Sequence, residues 1–348
     1  MDVINIRSDT QTLPTEPMLD AMRTAELGDD MYGEDPTVNR FEAMAAERVG
    51  MEAAMLTISG TMGNLVAMMV HAGPGDEVII DPDSHIMYYE AGGLANVAGL
   101  MPMAVAGHDG CLDPDEVEAA IRRPNRHYPA PRLLCLENTH NRSGGRVVPV
   151  DVQDRLCEVA HEHGLAVHLD GARIFNAALA ANVPAAQYTR NVDSLMFCLS
   201  KSLSCPLGSV LCGGRAFVDK AIAVRQRLGG GMRQAGIIAA AGIVALETMI
   251  DRLADDHANA RVLAEGLDAI DGLSVDMASV QTNMVYADHT GTGLGTMEML
   301  DCLKQAGVLV SPRPPEQIRF VINRHHDRAI IDQVVGRVGS GLKAGKRP

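Results

Sequence analysis

An apolar run that ends in a lysine is the most informative segment of this 348-residue chain. It reads Ser194-Leu-Met-Phe-Cys-Leu-Ser-Lys201-Ser-Leu-Ser-Cys-Pro-Leu-Gly208. The apolar residues predict a buried strand, and the small residues around and after Lys201 predict a turn. Desolvation disfavours the ammonium form of a lysine, and the neutral amine is a nucleophile. Taken alone, Lys201 is equally well interpreted as an exposed cation at a strand end.

Short apolar runs alternate with longer helical patterns between about residues 40 and 230, and this order is typical of an α/β fold with a mostly parallel sheet. A helix is predicted at residues 151–163. Strands are predicted at residues 77–81, 133–137, 166–170, 194–199 and 209–212. Because ligands bind at the carboxyl ends of parallel strands, polar residues at those ends are candidates for a site.

The pattern changes after a helix-rich stretch at residues 234–270. Strands are predicted at 273–275, 284–287 and 318–322, and helices at 297–306 and 329–342. We therefore expect a large α/β domain with the N-terminal segment at residues 1–245 and a smaller α+β domain at residues 246–348.

Composition excludes several classes of protein. A net charge of −14 disfavours nucleic acid as a partner, and no window holds the roughly 20 apolar residues of a membrane span. The seven cysteines are odd in number and include no CxxC pair, which predicts reduced thiols. Since the start of the chain also lacks the pattern of a signal peptide, we expect a cytoplasmic protein.

Three other segments carry polar residues suited to chemistry. Asp170 closes a predicted strand, where a carboxylate can hold a protonated pyridine nitrogen; an ion pair between Asp170 and Arg173 is the alternative. Ser59-Gly-Thr-Met-Gly-Asn64 precedes an apolar helix, and such a helix start either binds phosphate or simply caps the helix. His85 follows the strand at 77–81, where its ring can lie against a planar cofactor or serve a structural purpose. Taken alone, His127 and Arg319 are likewise compatible with either a functional or a structural role.

These segments occur in one order on one predicted α/β domain, and with further motifs they carry a family resemblance. The sequence resembles the L-threonine aldolases, of the low-specificity and L-allo types, which depend on pyridoxal 5′-phosphate (PLP) and have the aspartate-aminotransferase-like fold. The resemblance covers nearly the whole chain. Its motifs are Ile6-Arg-Ser8-Asp9-Thr10, Gly28-Asp-Asp-Met-Tyr-Gly-Glu-Asp-Pro36, Ser59 to Asn64, His85-Ile, Leu136-Glu-Asn-Thr-His-Asn141, His168-Leu-Asp-Gly-Ala-Arg173, Leu199-Ser-Lys201, Gly229-Gly-Gly-Met-Arg-Gln234 and Gln281-Thr-Asn-Met-Val285.

The resemblance implies a role for each matching position. Lys201 would hold PLP covalently, Asp170 would pair with its ring nitrogen, and His85 would stack on the ring and act as the base. The phosphate would lie on the backbone at Gly60 and Thr61, with Arg233 as a basic contact from a neighbouring subunit. Further residues would contact the amino-acid substrate: Ser8, Arg173 and Arg319 at its carboxylate, and His127 at its hydroxyl.

Two kinds of departure from the family pattern are visible. Relatives carry glycine where this chain has Ser202 and Ser204, and those positions would be strained if they require a positive φ. Relatives also carry lysine where this chain has Gln226, which removes one expected phosphate contact.

The sequence therefore predicts a PLP-dependent aldolase that cleaves the Cα–Cβ bond of L-threonine or L-allo-threonine to give glycine and an aldehyde. One alternative is another PLP-dependent enzyme of this fold, a β-eliminating lyase or an aminotransferase. A second alternative is a binding or structural protein without a cofactor. The resemblance also implies a homotetramer with sites at the interface of each tight dimer, and no metal is expected.

Overall fold

The structure is a computed structural model that describes residues 2–123 and 125–345. The strands are β1 (Ile4–Asn5), β2 (Ala53–Thr57), β3 (Glu77–Ile80), β4 (Met101–Ala104), β5 (Pro131–Glu137), β6 (Ala166–Asp170), β7 (Ser194–Cys198), β8 (Ser209–Gly213), β9 (Met284–Asp288), β10 (Val308–Leu309), β11 (Ser311–Arg313) and β12 (Gln317–Val321). The helices are α1 (Glu16–Thr24), α2 (Pro36–Val49), α3 (Gly60–His71), α4 (His85–Tyr88), α5 (Gly93–Asn96), α6 (Pro114–Ala120), α7 (Val150–Glu162), α8 (Ile174–Ala181), α9 (Ala186–Thr189), α10 (Arg215–Arg227), α11 (Gly236–Thr248), α12 (Leu253–Asp268), α13 (Thr296–Gln305) and α14 (Arg328–Gly345).

These elements form two compact units. The larger unit comprises Leu13–Ser143 and Val147–Ile250, and the smaller comprises Met1–Thr12, Gly144–Arg146 and Asp251–Pro348. The boundary predicted between residues 245 and 246 falls inside α11.

A seven-stranded sheet in the order β2-β8-β7-β6-β5-β3-β4 forms the centre of the larger unit. The pairs from β7 through β6, β5 and β3 to β4 are parallel, whereas β8 is antiparallel to both β2 and β7. Since β2 and β7 both oppose β8, they run in the same direction. Five of the seven strands, β2, β3, β5, β7 and β8, are buried almost throughout, as expected for strands covered on both faces. The predicted α/β fold with a mostly parallel sheet is confirmed.

This strand order brings four carboxyl ends to one edge of the sheet. β2 ends just before Ser59 and α3, β6 ends at Asp170, and β7 ends just before Lys201. β3 ends shortly before His85. It is parallel to its neighbour β5, which is in turn parallel to β6, so all three strands run in the same direction. The polar residues singled out in the sequence thus follow strands that all point to the same edge, which we call the carboxyl edge.

The smaller unit has its own apolar core. A three-stranded antiparallel sheet in the order β11-β12-β9 packs with α12 and α14 around buried aliphatic side chains and Phe320. β1 from the start of the chain pairs in parallel with β10, matching Ile4 with Val308. The additional small sheet agrees with the predicted α+β character of the C-terminal region.

The strand predicted at residues 273–275 is wrong. Only Ser274 makes a β-bridge, to Asp288 of β9. The backbone N–H of the next residue, Val275, donates to the side chain of Asp268, at 2.9 Å. The pairing with β9 is thus a single bridge and not a strand.

All seven cysteines are free, as predicted. Among the described residues, no helix combines the length and the apolar character that crossing a membrane requires.

Candidate active site

Lys201 lies in the turn that connects β7 to β8. β7 is buried and apolar, and its antiparallel partner returns at Ser209, so the turn begins and ends at the carboxyl edge. The chain has five lysines, and Lys201 is the only one of the four described that follows a central strand. Lys220, Lys304 and Lys343 are exposed residues of helices, whereas Lys201 is half-buried. The interpretation of Lys201 as an ordinary surface cation is therefore disfavoured.

Asp170 is the last residue of β6, the strand next to β7, and it is buried. Its Oδ1 accepts a hydrogen bond from the backbone N–H of Ala172 at 3.0 Å. Its Oδ2 accepts one from the Nδ2 of Asn64 at 2.9 Å. These two donors hold a carboxylate in one orientation at the edge of the sheet.

His85 begins the short helix α4, and its position is set by two buried glutamates. Its backbone N–H donates to the Oε2 of Glu137 at 2.5 Å. Its Nδ1 lies 2.9 Å from the Oε1 of Glu90. Burial raises the pKa of Glu137 and of Glu90. The ring of His85 also lies 5.5 Å from that of Tyr89, measured between centroids.

Electrostatics raise the pKa of the His85 imidazole. Burial alone lowers this pKa, but the hydrogen bond to Glu90 and the negative charge of Asp170 together outweigh burial. The positive charge of Lys201 lowers the pKa of His85, whereas the charge of Asp170 raises it. Both groups are therefore close enough to His85 to interact with it electrostatically. Ligand atoms of His85, Glu90 and Asp170 all lie within 4.8 Å of one another. Lys201, Asp170 and His85 therefore belong to one site.

The start of α3 supplies backbone donors at the same edge. Ser59 caps the helix, because its Oγ accepts from the N–H of Met62 at 3.2 Å and its carbonyl accepts from Gly63. The N–H groups of Gly60 and Thr61 have no hydrogen-bond partner among the described residues. A Cβ on Gly60 would lie 2.9 Å from the Sγ of Cys198, so only glycine lets this helix start approach the end of β7. Two free donors at a helix start form a site for an anion.

Arg173 and Lys201 line one small cavity together with Cys198 and Asn176. Arg173 is buried and precedes α8, three residues after Asp170. Arg173 and Lys201 thus line the same cavity, and the role of Arg173 at the substrate carboxylate stays a prediction.

His127 is not brought to this edge in the described chain. It is an exposed residue of the turn before β5, and its backbone N–H donates to the Oδ1 of Asn125 at 2.7 Å. β5 is seven residues long, so its two ends are about 20 Å apart. His127 precedes the amino end of β5, while Asp170 aligns with its carboxyl end at Glu137. Within one chain His127 therefore lies away from Asp170, and its role at the substrate hydroxyl stays a prediction.

Three other predicted residues have local contacts in the structure. Arg233 forms an exposed ion pair with Asp29, with Nη1 3.0 Å from Oδ2. Ser8 and Arg319 both belong to the smaller unit, where the Nη2 of Arg319 donates to the carbonyl of Arg7 at 3.3 Å. The roles of Arg233, Ser8 and Arg319 stay predictions.

Sequence reasoning missed the residues that orient the site. Asn64 lies on α3 and donates to both Glu90 and Asp170, at 2.8 and 2.9 Å. Asn64 and Glu137 occur inside motifs already quoted, and Glu90 follows His85 by five residues, but nothing in their spacing assigns them partners. Their burial is the signal that could have identified them, since buried polar side chains are almost always hydrogen-bonded.

The loop after Lys201 contains one strained serine. Ser204 has a φ of +66°, whereas Ser202 is not among the residues with positive φ. The expected strain is thus confirmed at one of the two positions where relatives carry glycine. The Oγ of Ser204 is also buried without a hydrogen-bond partner among the described residues. Gln226, the third departure, lies beside the Gly231 backbone, since a Cβ on Gly231 would be 1.9 Å from its Oε1.

Ser204→Gly is expected to increase the free energy of unfolding by about 1 kcal/mol. Removing a left-handed non-glycine residue and a buried unpaired hydroxyl together stabilises the fold by more than glycine's extra backbone entropy destabilises it. Thermal melting of the full chain measures the change, and Ser202→Gly is the matched control, which should lower the melting temperature. A lower melting temperature for Ser204→Gly would contradict the interpretation.

Three features at one edge of the sheet together define a class of protein. They are a lysine after one strand, an aspartate at the end of the parallel neighbouring strand and a helix start suited to phosphate. The class is that of the PLP-dependent enzymes of fold type I.

Comparisons with known proteins identify the family within this class. Residues 5–290 match the β-eliminating lyase family. The chain is 46% identical over 334 residues to the probable low-specificity L-threonine aldolase 2 of Arabidopsis thaliana, covering 94% of each chain. It is 41% identical over 316 residues to the low specificity L-threonine aldolase of Escherichia coli K12, covering 90% of this chain and 92% of that one. The chain belongs to the β-eliminating lyase family and, within it, to the group of the low-specificity L-threonine aldolases.

A solved structure has the same fold. The threonine aldolase of Leishmania major superposes with a TM-score of 0.84 at 20% sequence identity, covering 97% of this chain and 99% of that chain.

Proposed function

We propose that this protein is a PLP-dependent aldolase that cleaves L-threonine, L-allo-threonine and related L-β-hydroxy-α-amino acids to glycine and an aldehyde. The observation that carries the proposal is the placement of Lys201, Asp170 and His85 after strands that end at one edge of the same sheet. The low-specificity L-threonine aldolases named above support the choice of substrate.

The residues present fit PLP. The unpartnered N–H groups of Gly60 and Thr61 suit a phosphate, and the buried carboxylate of Asp170 suits a protonated pyridine nitrogen. Lys201 offers an amine for a covalent link, and the partly exposed His85 ring offers a face for stacking. When bound, PLP supplies an electron sink for the electrons released by bond cleavage.

The side chains of this chain then orient the substrate. We propose that Arg173 binds the carboxylate of the amino acid, because a guanidinium presents two parallel donors to it. From the family resemblance we propose that Ser8 and Arg319 bind the same carboxylate and that Arg233 contacts a phosphate in a neighbouring subunit. His127 receives no role in the site of its own chain.

His85 is the proposed base. If its Nδ1–H donates to Glu90, its Nε2 has a lone pair that can accept the proton of the substrate's β-hydroxyl group. Glu90 then stabilises the imidazolium that forms, and Lys201 is an amine from which a proton can be returned to Cα.

The experiment that tests this function is a product assay. The purified full-length protein is incubated with PLP and with L-allo-threonine, L-threonine or L-serine, and glycine and aldehyde are quantified. Equimolar glycine and aldehyde from a β-hydroxy amino acid is the expected result. Absence of PLP binding would contradict the proposal and would favour a binding or structural protein.

A second candidate function comes from the family match itself. Residues 5–290 match a family described as β-eliminating lyases, and the site would serve either reaction. The same assay separates the two, because β-elimination gives ammonia and a keto acid. Transamination is also distinguished, since it leaves the amino group on the cofactor.

Glu90→Gln is expected to shift the pH dependence of turnover to lower pH. A base works in its deprotonated form, so turnover rises with pH through the raised pKa of His85. The Glu90 carboxylate raises that pKa, and glutamine removes its charge while keeping an oxygen for Asn64. The pKa of His85 therefore falls, and the rising limb of the pH profile moves to lower pH.

Measurement of turnover against pH at saturating substrate tests this prediction. His85→Ala is the control, because it should retain PLP yet lose the rising limb altogether. A Glu90→Gln profile that stays in place or moves to higher pH would remove His85 from the role of base.

We also propose a cytoplasmic homotetramer with sites at the interface of each tight dimer. Support comes from the family resemblance and from partly exposed apolar residues such as Ile237 on α11. Light scattering on the purified protein measures the assembly, and a monomer would contradict it.

A further inference from the structure

A line of buried and half-buried polar side chains leads away from Asp170 into the larger unit. Of its hydrogen bonds, the proposed function involves only the one from Asn64 to Asp170. We call the line the relay, and in order it consists of His71, Ser194, His168 and Asn64. His71 Nε2 lies 2.8 Å from Ser194 Oγ, which lies 2.8 Å from His168 Nδ1. His168 Nε2 lies 3.0 Å from Asn64 Oδ1.

The chemistry of the carboxylates sets the direction of these hydrogen bonds. Ionised carboxylates only accept, so the amide nitrogen of Asn64 faces Asp170 and Glu90 and its Oδ1 faces the other way. That oxygen needs a donor, so His168 carries its hydrogen on Nε2. His168 Nδ1 then accepts from the hydroxyl of Ser194, whose oxygen accepts from Nε2–H of His71. Each member donates toward Asp170.

This direction requires a neutral His168, because its Nδ1 accepts a hydrogen bond. Burial lowers the pKa of His168 to about 3, and the charge of Asp170 only partly opposes it. Burial likewise lowers the pKa of His71 to about 4. The far end is anchored by packing, since the His71 ring stacks on Phe217 with centroids 4.6 Å apart and planes 19° apart.

We propose that the relay is a positioning device for Asp170, which holds its carboxylate aimed at the ring nitrogen of the bound cofactor. The inference rests on the proposed function, because PLP supplies that nitrogen. Without the donor on His168, the buried Oδ1 of Asn64 loses its partner, and with it one of the contacts that hold the amide in place. The hydrogen bond from Asn64 to the Oδ2 of Asp170 would then be less well aligned and the carboxylate less firmly oriented. His168, Ser194 and Asn64 are therefore positioning residues rather than catalytic ones.

Two substitutions of His168 distinguish the effect of its hydrogen bonds from the effect of replacing a buried side chain. His168→Leu removes both hydrogen bonds, whereas His168→Gln keeps a donor for Asn64 and an acceptor for Ser194. His326→Leu is the matched control, since His326 is another buried histidine with both ring nitrogens hydrogen-bonded, in the smaller unit. Each full-length variant is measured for its PLP dissociation constant, for the pH midpoint of the absorbance change of bound PLP, and for its melting temperature.

His168→Leu is expected to weaken PLP binding about tenfold, the effect of one hydrogen bond to a charged group. Its pH midpoint should rise, because a ring nitrogen without its proton no longer repels the proton at the nitrogen of Lys201. His168→Gln should restore both values to within about threefold, and His326→Leu should change neither. A His168→Leu protein with wild-type values, or a His168→Gln protein as impaired as His168→Leu, would overturn the proposal.

Ser194→Ala keeps the inference testable if His168→Leu does not fold. It removes one hydroxyl and should weaken PLP binding in the same direction by about threefold. Unchanged binding in Ser194→Ala would then overturn the relay. Wild-type protein that binds PLP and forms glycine establishes the proposed function whatever the variants do, so the two failures are distinguishable.

Discussion

Replacing Lys201 with alanine is expected to reduce formation of glycine and aldehyde by about 10³-fold or more. The substitution removes both the covalent attachment point for PLP and an amine that can carry a proton at the reacting carbon. The other described lysines, Lys220, Lys304 and Lys343, are exposed residues of helices, so we expect none of them to replace it. Release of glycine from L-allo-threonine, followed by chromatography, measures the loss.

The matched control for this prediction is Lys220→Ala. Lys220 is exposed on α10 and should be replaceable without loss of turnover or of melting temperature. Wild-type turnover in Lys201→Ala would show that the amine is not involved and would require a different chemistry at this edge.

Asp170→Asn is expected to lower turnover by about 10²–10³-fold while leaving the fold intact. Asparagine has the same shape and keeps an oxygen for a backbone donor, but it has no charge to hold a proton on the pyridine nitrogen. An unprotonated ring accepts electrons less readily. Turnover at saturating PLP, with far-ultraviolet circular dichroism to monitor folding, measures the effect.

Asp81→Asn distinguishes this chemical effect from the loss of any buried carboxylate at a strand end. Asp81 directly follows β3 and is buried, and its oxygens accept from the backbone N–H groups of Asp83 and Gly107 at 2.7 and 3.1 Å. Its replacement should lower the melting temperature more than the turnover. Equal turnover losses in the two variants would argue that Asp170 is structural.

Local sequence patterns identified the residues that act through their own chemistry. An apolar run followed by a polar residue encodes a buried strand and its end, so Asp170 and Lys201 could be recognised without coordinates. The same logic does not say which end of a strand a neighbouring residue occupies, and the structure places His127 before the amino end of β5. It failed at residues 273–275, where only Ser274 pairs with β9.

The partners that orient these groups depend on distant parts of the chain. Asn64 and Asp170 are 106 residues apart in sequence, yet they are hydrogen-bonded because β2 and β6 end at one edge of the sheet. The positive φ of Ser204 likewise follows from the turn that joins β7 to the antiparallel β8.

By itself, the sequence determined the fold class, the family and the three groups expected to carry the chemistry, because each is written in a short pattern of apolar, small and polar residues. Only the tertiary structure decided that Glu90 and Glu137 hold His85 and that a relay ends at Asp170. The physical reason is that hydrogen bonds require distances of about 3 Å, and strand order and packing set such distances between residues far apart in the chain.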